Sequence, residues 1–111
     1  MDPLTAAIFA HLEQREAGTF DLRTGRPATS GFAYNPSGRA LLRVRELSPS
    51  AVAEAISLAT TTYLGTWRHP NGFLVFLDTV VTNDEDAARQ AVRATGQLAY
   101  FDLDAEREIR L

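Results

Sequence analysis

Leu4, Ile8 and Leu12 recur at i, i+4 and i+8 in PLTAAIFAHLEQRE (3–16), with Ala7 and His11 beside them, and this spacing predicts an amphipathic helix. Asp2 stands where an N-cap belongs, Pro3 at the first helical position, and Gly18 marks the end. FDLR (20–23) and GFAYN (31–35) read as short strands, and NPSG (35–38) has the residues of a type I turn. RALLRVRE (39–46) alternates as a further strand, so 31–35 and 39–44 are expected to pair as a hairpin around that turn. A phosphate-cradling loop at ATSGFAYNPSGR (28–39) is disfavoured, because such loops lead into a helix and this one leads into alternation.

Ser48 and Pro49 open a second helix whose Ala51, Val52, Ala55, Ile56 and Ala59 share a face, with Gly65 as its stop. TWRH (66–69) and GFLVFLDTVV (72–81) flank HPNG, a strong hairpin signal. A third helix follows in TNDEDAARQAVRATG, capped by Thr82 or Asn83, with Asp84, Glu85 and Asp86 at its positive end and Gly96 closing it. QLAYFDLD (97–104) is a last full strand, and REIRL (107–111) a short edge strand. From Arg39 onward the order is β-α-β-β-α-β, the split βαβ arrangement of ferredoxin-like domains. The expected fold is therefore α+β in a single domain over 1–111. Residues 39–104 form its ferredoxin-like core, and 1–38 add an N-terminal helix and a β-hairpin.

Strand alternation assigns faces. Phe73, Val75, Leu77 and Val81 are expected under the helices, which turns Leu74, Phe76, Asp78 and Val80 to the other face. With Leu42 and Val44 inward, Arg39, Arg43 and Arg45 join that second face, as do Tyr100, Asp102 and Asp104 from the last strand. A mixed apolar and charged face of this kind covers something. Either the N-terminal helix lies across part of it, or it is a binding surface with arginine and aromatic anchors. A second copy of the chain is another way to cover it.

Composition narrows the classes. With no cysteine in 111 residues, a disulfide scaffold, a cysteine nucleophile and a thiolate metal site are all excluded. The net charge of −3 argues against nucleic acid or an anionic membrane as a non-specific partner. All eleven basic residues are arginine, which together with the many alanines points to a GC-rich genome. No basic start precedes an apolar run and no stretch approaches a membrane span, so a cytoplasmic protein is expected. His11 and His69 lie apart with no acidic neighbour at metal-ligand spacing. Asp78, Asp102 and Asp104 would have to converge to hold a divalent cation, and are better read as solvated or arginine-paired.

TSGFAYNPSGR, LGTWRHPNGFLVFLDTVVTNDEDAA and GQLAYFDLDAEREI together resemble a group of small uncharacterised proteins of actinobacterial genomes, their phages and integrated elements. The resemblance covers roughly 28 to 109 and carries no catalytic signature. It implies an accessory protein of a mobile element, of the kind that binds and blocks a host or defence protein. The expectation is a non-enzymatic protein without cofactor or metal that occludes a partner surface. Its contact residues would be Tyr34, Arg39, Arg43, Arg45, Trp67, Phe76 and Tyr100. The alternatives are a single-stranded nucleic-acid-binding module on the open sheet face, and a small-molecule or metal-dependent enzyme.

Overall fold

The computed structural model describes all 111 residues, arranged as three helices and a seven-stranded antiparallel sheet. Helix α1 (Pro3–Gln14) starts where the Asp2 carboxylate accepts from the Thr5 backbone N–H at 2.9 Å and from its hydroxyl at 2.7 Å. The cap satisfies a donor that the first helical turn would otherwise leave unpaired. Helix α2 (Pro49–Leu58) is capped in the same way by the Ser48 hydroxyl on the Ala51 N–H. The cap of α3 (Glu85–Ala94) is Asp84 rather than Thr82 or Asn83, its carboxylate accepting from the Ala87 N–H.

The strands are β1 (Gly18–Asp21), β2 (Phe32–Tyr34), β3 (Leu42–Val44), β4 (Tyr63–Arg68), β5 (Leu74–Thr82), β6 (Ala99–Asp102) and β7 (Arg107–Arg110). Their order across the sheet is β1-β4-β5-β2-β6-β7, with β3 paired to β5 alone. The hairpin expected between 31–35 and 39–44 does not form. Both segments instead pair with β5, Tyr34 opposite Val80 and Leu42 opposite Phe76. Eight positions from Tyr34 to Leu42 thus span the four from Val80 to Phe76, so the chain between β2 and β3 is extruded as a loop and the two strands run end to end. The extruded loop is closed by Asn35, whose Oδ1 accepts from the Ser37 and Gly38 N–H groups and whose Nδ2 donates to the Arg39 carbonyl. The segment bends as NPSG predicts, but the Asn35 side chain closes it in place of the Asn35 carbonyl to Gly38 N–H bond of a type I turn.

All three helices lie on one face of the sheet. Ile8 and Leu12 of α1 and Val52 and Ala55 of α2 close over Phe20, Leu64, Leu74 and Phe76. Ala88 and Val92 of α3 cover Tyr100, with Phe32, Tyr34 and Ile109 packed around them. The expectation that α1 crosses the second face is overturned: its apolar stripe is used up against α2 and the same core.

Helix α2 stops at Leu58, well short of Gly65, because the next residues serve a buried carboxylate. Asp78 is 8 % exposed and accepts from Thr60 N–H (2.7 Å) and hydroxyl (2.6 Å), and from Thr61 N–H (3.2 Å) and hydroxyl (3.1 Å). Burial alone pushes this carboxyl up, but the four hydrogen bonds outweigh it and hold the group below its ordinary value. Asp78→Ala leaves the Thr60 hydroxyl and the Thr60 and Thr61 amides without their acceptor, while the Thr61 hydroxyl keeps the Tyr63 carbonyl at 2.8 Å. The substitution is expected to cost about 2–3 kcal/mol. Because the folded state binds this proton less readily than the unfolded chain, the Asp78 contribution is complete above about pH 4 and fades as pH falls through the folded-state value. Urea titrations of both proteins across that window check it: the wild-type curve carries an acid-side slope that Asp78→Ala reduces.

Candidate binding face

The register decides which side chains the uncovered face displays. Residues directly opposite in an antiparallel pair point the same way. Phe76 pairs with Leu42 and Thr66, so Leu74 and Phe76 belong to the helix side. Val75 pairs with Arg43 and Trp67, and Leu77 with Gly65, so these belong to the open side. The face assignment expected for β5 is inverted.

The consequences for the seven expected contact residues follow directly. Phe76 is 0 % exposed beneath α1 and α2, and Tyr100 is 3 % exposed beneath α3, so neither is available to a partner. Tyr100 donates its hydroxyl to Glu85 at 2.6 Å and accepts from Arg89 at 3.1 Å. Burial pushes that phenol up and the bond to Glu85 adds to it, with Arg89 opposing. Tyr34 is half-buried against the α3 cluster. Arg39 is exposed on the extruded loop, and Arg43, Arg45 and Trp67 come together on the open face.

Five residues not anticipated as contacts complete that patch. Trp67, 41 % exposed, has the His69 ring beside it at 4.9 Å between centroids. The Arg45 guanidinium lies 4.5 Å from the centre of the Phe73 ring, a cation–π contact that fixes the side chain without neutralising its charge. Val75, Leu77 and Ala40 floor a shallow cleft of about 240 Å³ between Arg43 and Trp67. A larger, more polar hollow of about 340 Å³ at the far end of the sheet is walled by Asp21, Arg26, Ser30 and Tyr63. There the carboxylate is already taken by Arg23, at 3.0 Å and 2.9 Å.

Charge is distributed unevenly over the arginines. Arg15, Arg23, Arg68, Arg89 and Arg110 each lie beside a carboxylate. The other six do not, although carboxylates outnumber arginines in the chain, and of these Arg39, Arg43 and Arg45 fall together while Arg26, Arg93 and Arg107 are scattered. Arg68, next to Trp67 in sequence, points to the helix side and is a fastener. It grips both Glu16 oxygens and donates to the carbonyls of Arg45 at 2.6 Å and Gly72 at 2.8 Å.

No group of three or more histidines, aspartates and glutamates is placed to share a metal ion. Asp78 is committed to Thr60 and Thr61, Asp102 accepts from the Ala105 N–H, and Asp104 from the Gly31 N–H. No helix is long and apolar enough to cross a membrane. No protein-family model, curated protein or solved structure matches the chain.

Two aromatics expected together at the contact surface, of which only Trp67 is exposed, provide a direct check. Phe76→Ala is expected to destabilise by about 3–5 kcal/mol, as a large buried ring leaving a cavity. Trp67→Ala should stay within about 1 kcal/mol, as a change at a solvent-facing position. Chemical denaturation of the two variants measures both.

Proposed function

We propose that this chain is a non-enzymatic binding protein acting through its uncovered sheet face, an accessory protein of a phage or mobile element. It works by occluding a surface of a host or defence protein, a nuclease being one concrete target. One observation carries the reading: Trp67, 41 % exposed, stands beside two arginines without carboxylate partners on the one face that no helix covers. Tryptophan and arginine are the residue types that dominate binding energy at protein interfaces, and the aliphatic floor between them offers a seat for an apolar anchor. The likeness of 28–109 to small proteins of actinobacterial mobile elements, together with the all-arginine composition, supports the accessory role.

A ferredoxin-like core with an interrupted first strand fits this reading. If β2 and β3 are taken as one strand broken by the extruded loop, it lies between β5 and β6, with β4 beyond β5, and both α2 and α3 sit on one side. On that assumption the placement supports a split βαβ reading, with the opposite face left uncovered.

A second reading has its own support. The tilted Trp67–His69 pair, 4.9 Å apart, beside unpaired arginines resembles the platform on which unstacked bases rest. The net charge of −3 weighs against it.

The test uses the immobilised chain in a lysate of a high-GC actinobacterium, with wild type beside Trp67→Ala/Arg43→Glu. The captured protein is expected to survive nuclease treatment and to vanish with the double variant, whose melting curve stays close to wild type. Capture that the double variant leaves intact places the contact elsewhere. Capture that nuclease abolishes assigns the face to nucleic acid. Light scattering separates a second copy of the chain from a foreign partner.

A further inference from the structure

We propose that the element this face receives is an acidic protein segment in extended conformation, laid along the free edge of β3 with its carboxylates opposite Arg43 and Arg45. The inference rests on the open-face reading and names the chemistry of the partner.

Charge complementarity is the first argument. Five of the eleven arginines lie beside a carboxylate, among them the well-exposed Arg110 with Glu108 at 3.0 Å and Arg23 with Asp21 at 2.9 Å, and the unpaired Arg26, Arg93 and Arg107 are scattered along the chain. Arg39, Arg43 and Arg45 fall within one short stretch and find none, in a chain of net charge −3. Arg43 lies in β3 and Arg45 follows one residue past its end at a bend, and both reach the open side, Arg43 opposite Val75 and Arg45 over the Phe73 ring. A segment with carboxylates at every second position presents them all to that side, and opposite charges directly across a strand pair are favourable.

The edges of the sheet supply the second argument. The outer side of β1 is shielded by residues 26–28, through Asp21 N–H on the Arg26 carbonyl at 2.9 Å and Ala28 N–H on the Thr19 carbonyl at 2.7 Å. Strand β7 protects itself with Arg107, Glu108 and Arg110, since an edge crowded with charges of both signs resists pairing. Strand β3 pairs with β5 on one side, and no strand flanks it on the other. An added strand there gains main-chain hydrogen bonds, while alternate side chains reach the open face.

A nucleic acid fits less well. Arg45 already occupies one face of Phe73, which leaves Trp67 as the one widely exposed aromatic of the patch. A long polyanion also meets the acidic remainder of the chain, whereas a short acidic segment feels mainly the arginines within a Debye length.

The probe is a fluorescein-labelled peptide alternating glutamate with valine, followed by anisotropy. Its comparators are the glutamine–valine peptide, the same acidic peptide N-methylated at alternate amides, and oligo(dT). Trp67, the sole tryptophan, stands on β4 with β5 between it and β3, so a shift of its emission would place the peptide in the cleft and overturn the edge placement. The acidic peptide is expected to bind without that shift. Glutamine replacement, N-methylation and the Arg43→Glu/Arg45→Glu variant should each weaken binding about tenfold or more. Both arginines are exposed, so that variant should keep the wild-type melting curve; if it does not, Arg43→Gln/Arg45→Gln replaces it. Equal binding of the glutamine peptide, or binding indifferent to both arginines, overturns the proposal. So does arginine-dependent binding of oligo(dT) with none of the acidic peptide. Partner capture that needs Trp67 but not Arg43 or Arg45 would keep the open face and remove the acidic segment.

Discussion

Strand β5 is the constraint from which the rest of the molecule follows. Its residues Leu74 to Thr79 bind β4 on one side, while on the other Leu74 to Phe76 bind β3 and Val80 to Thr82 bind β2. Apolar residues face both ways along its first half, with Leu74 and Phe76 buried under the helices and Val75 and Leu77 on the open side. A one-residue slip would carry Phe76 out of the core, so the register is fixed by burial. With that register fixed, β2 and β3 compete for one edge of the same strand. The extruded loop closed by Asn35 is what lets them share it end to end.

Buried polar groups set the remaining geometry. No buried side-chain nitrogen or oxygen lacks a hydrogen-bond partner. The cost of burying Asp78 is met by Thr60 and Thr61, and the bonds also dictate that α2 ends early and that the chain turns straight into β4. Tyr100 works in the same way between β6 and α3, since its ring fills the smaller cluster only while Glu85 and Arg89 satisfy its hydroxyl. Buried polar networks of this type specify one arrangement because any slip leaves a charge or a donor stranded.

Local signals were legible in the residues, and long-range pairing was not. The caps Asp2 and Ser48, the turn at NPSG and the existence of the main strands are written in short windows of sequence. Which strand a turn leads to is not a local property, and NPSG serves an extruded loop as well as a hairpin. The face of β5 was unreadable for a different reason. In FLVFL both parities are apolar, so the polar Asp78 became the deciding residue and pointed outward. Its partners Thr60 and Thr61 lie 18 and 17 positions away, and no spacing rule connects them. Once that parity is inverted, Phe76 moves into the core and Phe73 out, while Arg43 and Arg45 stay on the open side because the alternation in RVR is unambiguous. Trp67 joins them through its register with Val75, which no local signal encodes.

The arginines show why composition could not finish the identification of the site. Arg68 and Arg45 are neighbours in space, and the Arg45 carbonyl is one of the acceptors Arg68 holds. Yet Arg68 is spent on Glu16 and two carbonyls, joining the end of α1 to β3 and to the β4–β5 turn, while the Arg45 charge has only a ring beside it. A guanidinium with its donors filled is a structural clasp. One with free donors on an uncovered sheet face is available to a ligand. An acidic chain that leaves three such groups together creates a local field opposite in sign to its own net charge. On the proposed reading, such a field would draw one acidic element of a partner to the patch while the rest of the acidic surface repels it.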